Sequence, residues 1–263
     1  MALSTFFKWA GGGVAVVIAV LCLSLQCAYW YGASLLPKDL PQPRRAYPTT
    51  ARVALWRMFG GGDTPLSVRK LTIFSYAGLG LEFGSQAMMT SWMDRYAPLP
   101  SLPADMQLLD VAAGSLHHQI EQERSATEAK GAVSSGNAEA LRQIGYDHHL
   151  KEVAAYIRVS RERSAESMAD FVLEHGNYGR GSEGLDQAAR VYFGADVDAL
   201  TDDELLALAT LRFQIGSMDP YCQPEQFRER YVELIRHSAA SGLPRASDLS
   251  LPRLKPTECS EPQ

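Results

Sequence analysis

The chain has 263 residues, with 25 Lys and Arg against 30 Asp and Glu, for a net charge of −5. That length, less one apolar segment, suffices for one good-sized domain with its own core. The acidic balance excludes nucleic acid as a partner, because no basic stripe is available to neutralise phosphates. Of four cysteines, Cys22 and Cys27 fall in the apolar segment and Cys222 and Cys259 outside it. There is no CxxC or Cys/His ligand spacing, so no metal site is expected, while Cys222 and Cys259 are free to pair in an oxidising compartment. The adjacent histidines, His117-His118 and His148-His149, point about 100° apart on a helix, so neither pair alone chelates well.

Residues 1–8 form a short head with one basic side chain, Lys8. Trp9 to Gly32 is uncharged and long enough to cross a bilayer as a helix. Phe6, Phe7 and Trp9 at one end and Tyr29, Trp30 and Tyr31 at the other form the aromatic belts expected at two interfaces. Aromatic residues occupy the place where a small-x-small cleavage site would fall, so the segment reads as an uncleaved anchor rather than a signal peptide. Residues 33–53 are a juxtamembrane linker, extended by its prolines and basic through Lys38, Arg44, Arg45 and Arg52. Within it Pro37 to Pro48 is expected to lie extended and close to the lipid head groups. Counting basic residues alone would place the bulk of the protein in the cytoplasm.

Leu71 to Met93 is apolar except for Glu82. As a second span it would carry that carboxylate near the bilayer centre at a cost of about 2.5 to 3.5 kcal/mol, so a buried or membrane-dipping segment is expected. Ala54-Leu55-Trp56 with Met58-Phe59 either adds to such a surface or belongs to an ordinary core. Pro98 to Pro103 is a turn-rich boundary. Beyond it Met106, Leu109, Ala113, Leu116 and Ile120 recur at helical spacing, as do Leu150, Val153, Ala154 and Ile157.

Ser164 is a natural N-cap for a helix over Glu166 to His175, and Leu185 to Tyr192 reads as another. Between them four glycines, Gly176, Gly179, Gly181 and Gly184, fall within nine residues. Glycines at that density permit positive φ or close backbone approach. Thr201 caps the next helix and Glu204, three positions on, completes a capping box. A domain over 54–245, all α, followed by a disordered tail over 246–263, is the expected organisation.

The residues from Lys151-Glu152 through Phe171-Val172-Leu173, Tyr178-Gly179, Gly181, Gly184, Ala188-Ala189, Tyr192-Phe193-Gly194, Leu200-Thr201 and Glu204 to Ala207-Leu208-Ala209 resemble a known pattern. It is that of the peptidoglycan glycosyltransferases of family 51. These are the membrane-anchored transglycosylases that polymerise lipid II, alone or within class A penicillin-binding proteins. The likeness covers roughly the last half of the chain and fades through Met218-Asp219-Pro220 and the helix Arg228 to Gly242. It implies a lysozyme-like helical domain on the periplasmic side of the bacterial inner membrane, the reverse of the basic-residue count. The partners implied are lipid II or glycan strands, the membrane and other cell-wall synthesis proteins, with no cofactor.

Glycosyl transfer from a lipid pyrophosphate requires a general base for the attacking hydroxyl and donors or cations for the leaving group. By resemblance Glu152 falls on the second of the family's two glutamates. Lys151, Arg158, Arg180 and Arg190 are then candidate substrate-binding cations, and Gly179, Gly181 and Gly184 a loop bordering the cleft. The chain departs from the pattern where the chemistry lies. His148-His149 replace an Arg-Lys pair, and no upstream carboxylate among Glu82, Glu121 and Glu123 carries the first glutamate's motif. Ser134 to Ala140 stands where the family has Gly-Ser-Thr-x-Thr-Gln-Gln. Ala165 and Ala195 replace lysines, and Asp170 and Glu174 stand where a Glu-x-Tyr-Leu-Asn helix has its Glu and Asn. Three readings follow: a divergent lipid II polymerase, a catalytically silent binding relative or scaffold, and a lysozyme-like glycan-cleaving enzyme.

Overall fold

The computed structural model describes residues 2–82, 102–125, 138–212, 219–238 and 259. Among them there are helices and turns and no strand, apart from one isolated antiparallel bridge between Asn177 and Glu183. The all-α expectation holds. Residues 83–93, 98–101, 134–137, Met218, 239–242 and all of the 246–263 tail except Cys259 lie outside the described residues.

The chain divides into two compact units, one of residues 1–40, 70–101 and 116–162, the other of 41–69, 102–115 and 163–263. In the first, helix α1 (Ala2–Ser34) contains Gly13–Ser34, the one stretch among the described residues long and apolar enough to cross a membrane. Its side chains from Val14 to Leu23 are almost all exposed. Its far end packs on α5 (Ala138–Glu162). Gly32 makes this possible: a Cβ there would stand 2.3 Å from the Leu150 carbonyl oxygen. Beside it the Tyr31 hydroxyl donates to Asp147 at 3.0 Å. Residues 73–82 are helical (α3), entered through buried Leu71, whose amide donates to Ser160 Oγ at 3.0 Å. The expected buried-or-dipping character of this stretch is divided: Leu71 and Ile73 are buried, Phe74 and Leu81 exposed.

Helix α4 (Ala104–Ser125) contributes residues to both units, and Met106, Leu109, Ala113, Leu116 and Ile120 are all buried, as their spacing foretold. In the second unit, α2 (Thr49–Met58) packs on α6 (Ala165–Glu174), α8 (Asp202–Leu211) and α9 (Pro224–Ser238). Its Ala54, Leu55 and Trp56 are core. The indole N–H of Trp56 donates to the Thr64 carbonyl at 2.9 Å. The remaining helix, α7 (Leu185–Phe193), buries Leu185, Ala188, Ala189, Tyr192 and Phe193, one stripe at helical period. A 3-10 turn, Val197–Ala199, links it to α8.

Local signals set the ends of these helices. Ser164 Oγ accepts from the Ser167 amide at 3.1 Å. Thr201 and Glu204 exchange side-chain bonds with each other's amides, completing the capping box at α8. Gly194 closes α7 in the left-handed conformation, φ 66°.

Candidate functional site

The glycine-punctuated crossing between α6 and α7 is a tight, internally bonded loop. The Tyr178 amide donates to Ser182 O (3.0 Å), Ser182 N to Gly179 O (2.9 Å) and Gly184 N to Gly176 O (2.6 Å). Three successive residues, Gly179, Arg180 and Gly181, have φ of 82°, 52° and 68°. Arginine in that region is uncommon and is held there by tertiary contacts. Gly184 has a second requirement, since a Cβ on it would lie 2.4 Å from the Glu174 carbonyl oxygen.

Two buried tyrosines support the loop from below. Tyr178 donates its hydroxyl to Leu173 O at 3.1 Å, and Tyr192 donates to Tyr178 O at 2.9 Å. Burial pushes both phenols well above their ordinary range, so both remain donors.

At the loop tip Arg180 makes a fork with Asp219, Nε to Oδ2 at 2.7 Å and Nη2 to Oδ1 at 3.0 Å. Its guanidinium also lies over the Tyr221 ring, 4.4 Å from the centroid. Burial works against the charge on Arg180, but the Asp219 carboxylate outweighs it and raises the pKa. Asp219 Oδ1 further accepts from the amides of Tyr221 (2.8 Å) and Cys222 (3.2 Å). Cys222 is bonded to Cys259, the pairing the sequence left open. Asp219 and Tyr221 were not singled out from the sequence, because nothing local marks a residue 39 positions away as the partner of Arg180.

The two stems of the loop carry a second set of pairs. Arg44 contacts Glu174 through its backbone amide (2.7 Å) and Nε (3.0 Å). Arg45 pairs with Asp186 at 3.2 Å and with Asp198. Tyr47 donates its hydroxyl to Asp186 at 2.7 Å and its amide to Asp170 at 3.0 Å. Arg52 forks onto Asp170 at 2.7 and 2.8 Å. Thr50 donates to Asp202 at 2.6 Å. Arg44, Arg45 and Arg52 are therefore joined to carboxylates of the second unit, Asp170 and Glu174 among them.

Three further candidates fall in the first unit, on α5. Glu152 is part-exposed, with His149 Nδ1 3.8 Å away. Lys151 is buried. Arg158 donates to the carbonyls of Pro37 and Lys38, both at 2.8 Å, and to Glu162 at 2.8 and 3.1 Å. It thus holds backbone. In the second unit Arg190 is exposed and pairs with Asp196 at 3.1 Å. His117 and His148 meet with 3.0 Å between Nε2 and Nδ1, and no group of three or more metal-ligating side chains occurs among the described residues.

Residues 133–238 match a family model described as Transglycosylase. Over this stretch the chain is similar to the transglycosylases. A Cupriavidus necator protein named "Putative transglycosylase" is 28% identical over 97 residues, 37% of this chain and 42% of that relative. Penicillin-binding protein 1A of Aquifex aeolicus is 27% identical over 101 residues, 38% of this chain and 14% of its own length. The chain thus spans less than half the length of these relatives. The transglycosylase stretch contains every candidate from Lys151 to Arg190, while the arginines at 44, 45 and 52 lie outside it.

Proposed function

We propose that this is a membrane-anchored transglycosylase relative that binds lipid-linked peptidoglycan precursor or glycan strands and polymerises them weakly or not at all. The observation that carries this reading is the fate of Asp170 and Glu174. Both carboxylates stand where the resembled family has part of its chemistry, and both are paired with arginines of this same chain. Carboxylate oxygens already engaged by arginine donors are not free to accept a hydroxyl proton from a substrate. Arg158 and Arg180 are committed in the same way, to backbone carbonyls and to Asp219.

Membrane anchoring is supported by Gly13–Ser34. Placement of the second unit in the periplasm is supported by the Cys222–Cys259 disulfide, a bond that persists in oxidising compartments. A cytoplasm-only reporter fused after Gln263 should be silent in cells.

The test is lipid II polymerisation by the purified full-length protein, with binding of the same lipid measured in parallel. Binding without polymer is expected. A positioned general base typically accounts for 10²- to 10⁴-fold of rate. Polymer formation abolished by Glu152→Gln would therefore overturn the silent reading in favour of a divergent polymerase centred on the part-exposed Glu152. Equal polymerisation by wild type and Glu152→Gln would place the chemistry on other residues. Shortening of preformed glycan strands would favour the lysozyme-like alternative.

A further inference from the structure

We infer that residues 44–52 are an ionic strap that clamps the two stems of the glycine loop, so that release of the strap loosens the loop. The stems are the C-terminal end of α6 and the first turn of α7, and the strap reaches both. Arg44 is bound to Glu174, the last residue of α6, while Arg45 and Tyr47 are bound to Asp186, the second residue of α7. Asp170, one turn before Glu174, takes the amide of Tyr47 and the fork of Arg52. Arg45 extends the clamp to Asp198 in the 3-10 turn beyond α7.

Three physical features make this segment a separable device. It carries Pro48 and is preceded by Pro41 and Pro43, which restrict the free segment and lower the entropy lost on docking. Its contacts are unequal in depth. The Arg52–Asp170 pair is largely buried, whereas the Arg44 side chain and the Asp198 carboxylate face solvent. The strap is thus firmly seated at its α2 end and open to competition at the end nearer α1 in sequence. Finally, the loop relies on close stem approach, because Gly184 abuts the Glu174 carbonyl and Gly184 N–H donates to Gly176 O. Moving Glu174 relative to Asp186 stretches that closure. The inference holds whatever the loop binds, and it does not require the protein to be catalytic.

The experiment uses the full chain in detergent and two readouts on one sample: tryptic cleavage after Arg44, and amide hydrogen exchange over 176–184. The variant Arg45→Gln/Tyr47→Phe removes the strap's hold on Asp186 and Asp198 while keeping the buried ring of Tyr47. Cleavage after Arg44 is expected to accelerate at least about tenfold, following the population of the open form. Loop amides are expected to exchange faster by a similar factor, with amides of α8 unchanged. Asp198→Asn, a change at an exposed side chain that poses no threat to folding, should produce a smaller shift in the same direction in both readouts. Faster cleavage with unchanged loop exchange would overturn the coupling. Unchanged cleavage in both variants would overturn the strap itself.

Discussion

Arg180 and Asp219 are joined by two hydrogen bonds of 2.7 and 3.0 Å across 39 residues of sequence, with the aromatic face of Tyr221 closing over the guanidinium. The pair ties the tip of a loop whose backbone is left-handed at Arg180 to the turn that precedes α9. Its members are both mostly shielded from water.

Removing one partner should leave the other desolvated. Arg180→Gln and Asp219→Asn are each expected to lower unfolding stability by about 1.5 to 3 kcal/mol, the range for hydrogen bonds to charged groups. A double-mutant cycle in urea should return a coupling energy above about 1 kcal/mol. Arg180→Lys keeps the charge but not the fork and should recover less than half the loss. Additive single effects would mean that the pair contributes nothing beyond its separate contacts.

The loop glycines should rank unequally. Gly181→Ala meets no atom within 4 Å and bears only the left-handed penalty, roughly 1 to 2 kcal/mol. Gly184→Ala bears the same penalty and also drives a methyl against the Glu174 carbonyl, adding roughly 1 to 3 kcal/mol of overpacking. Thermal or urea unfolding of the two variants side by side checks the order.

The disulfide closes a segment 37 residues long. Chain-entropy reasoning assigns such a loop roughly 3 to 4 kcal/mol at most, so Cys222→Ser/Cys259→Ser should lower stability by up to that amount. Protein recovered from an oxidising compartment should show two reactive thiols after denaturation, from Cys22 and Cys27, which are free. Four would mean that the bond does not form there.

Acid should weaken two local devices. The bond from Arg45 holds the Asp198 carboxyl below its ordinary range. Glu166 is likewise depressed, first by a bond from its own amide, then by the Ser164 hydroxyl and by Arg52 nearby. A carboxylate depressed on folding adds stability that is present above its unfolded pKa, about 3.9 for Asp and 4.3 for Glu, and is lost as pH falls through the folded value. Tryptic-site exposure cannot be followed in that range, so pepsin cleavage near Tyr47 is the suitable probe. It should stay slow at pH 5 and rise below about pH 4, and Asp198→Asn should blunt the rise.

The parts of this fold legible in the sequence are those written in neighbouring residues. The Ser164 cap, the Thr201–Glu204 box and the buried face of α4 follow from spacing alone. Charge pairing over long separations is not written that way. Arg158 and Arg180 read as cations available to a substrate, yet each is committed to the protein's own oxygens. Arg44 and Arg45 read as part of a basic linker, and nothing in that reading names their partners, which lie more than a hundred residues onward. A basic segment and an acid-rich pair of helices are each visible in the composition. Their register against one another depends on the tertiary fold.

The contact of Gly32 with the Leu150 backbone has a mechanical consequence. Tyr31 bonded to Asp147 fixes the last turn of α1 to α5 beside Gly32, and Arg158 of the same helix holds the carbonyls of Pro37 and Lys38 just beyond that turn. A force applied along α1 is therefore borne by α5 as by a second spar rather than dissipated in a slack leash. Replacing Gly32 with valine would wedge the spars apart, turning a stiff mast into a hinge without altering a single charged residue.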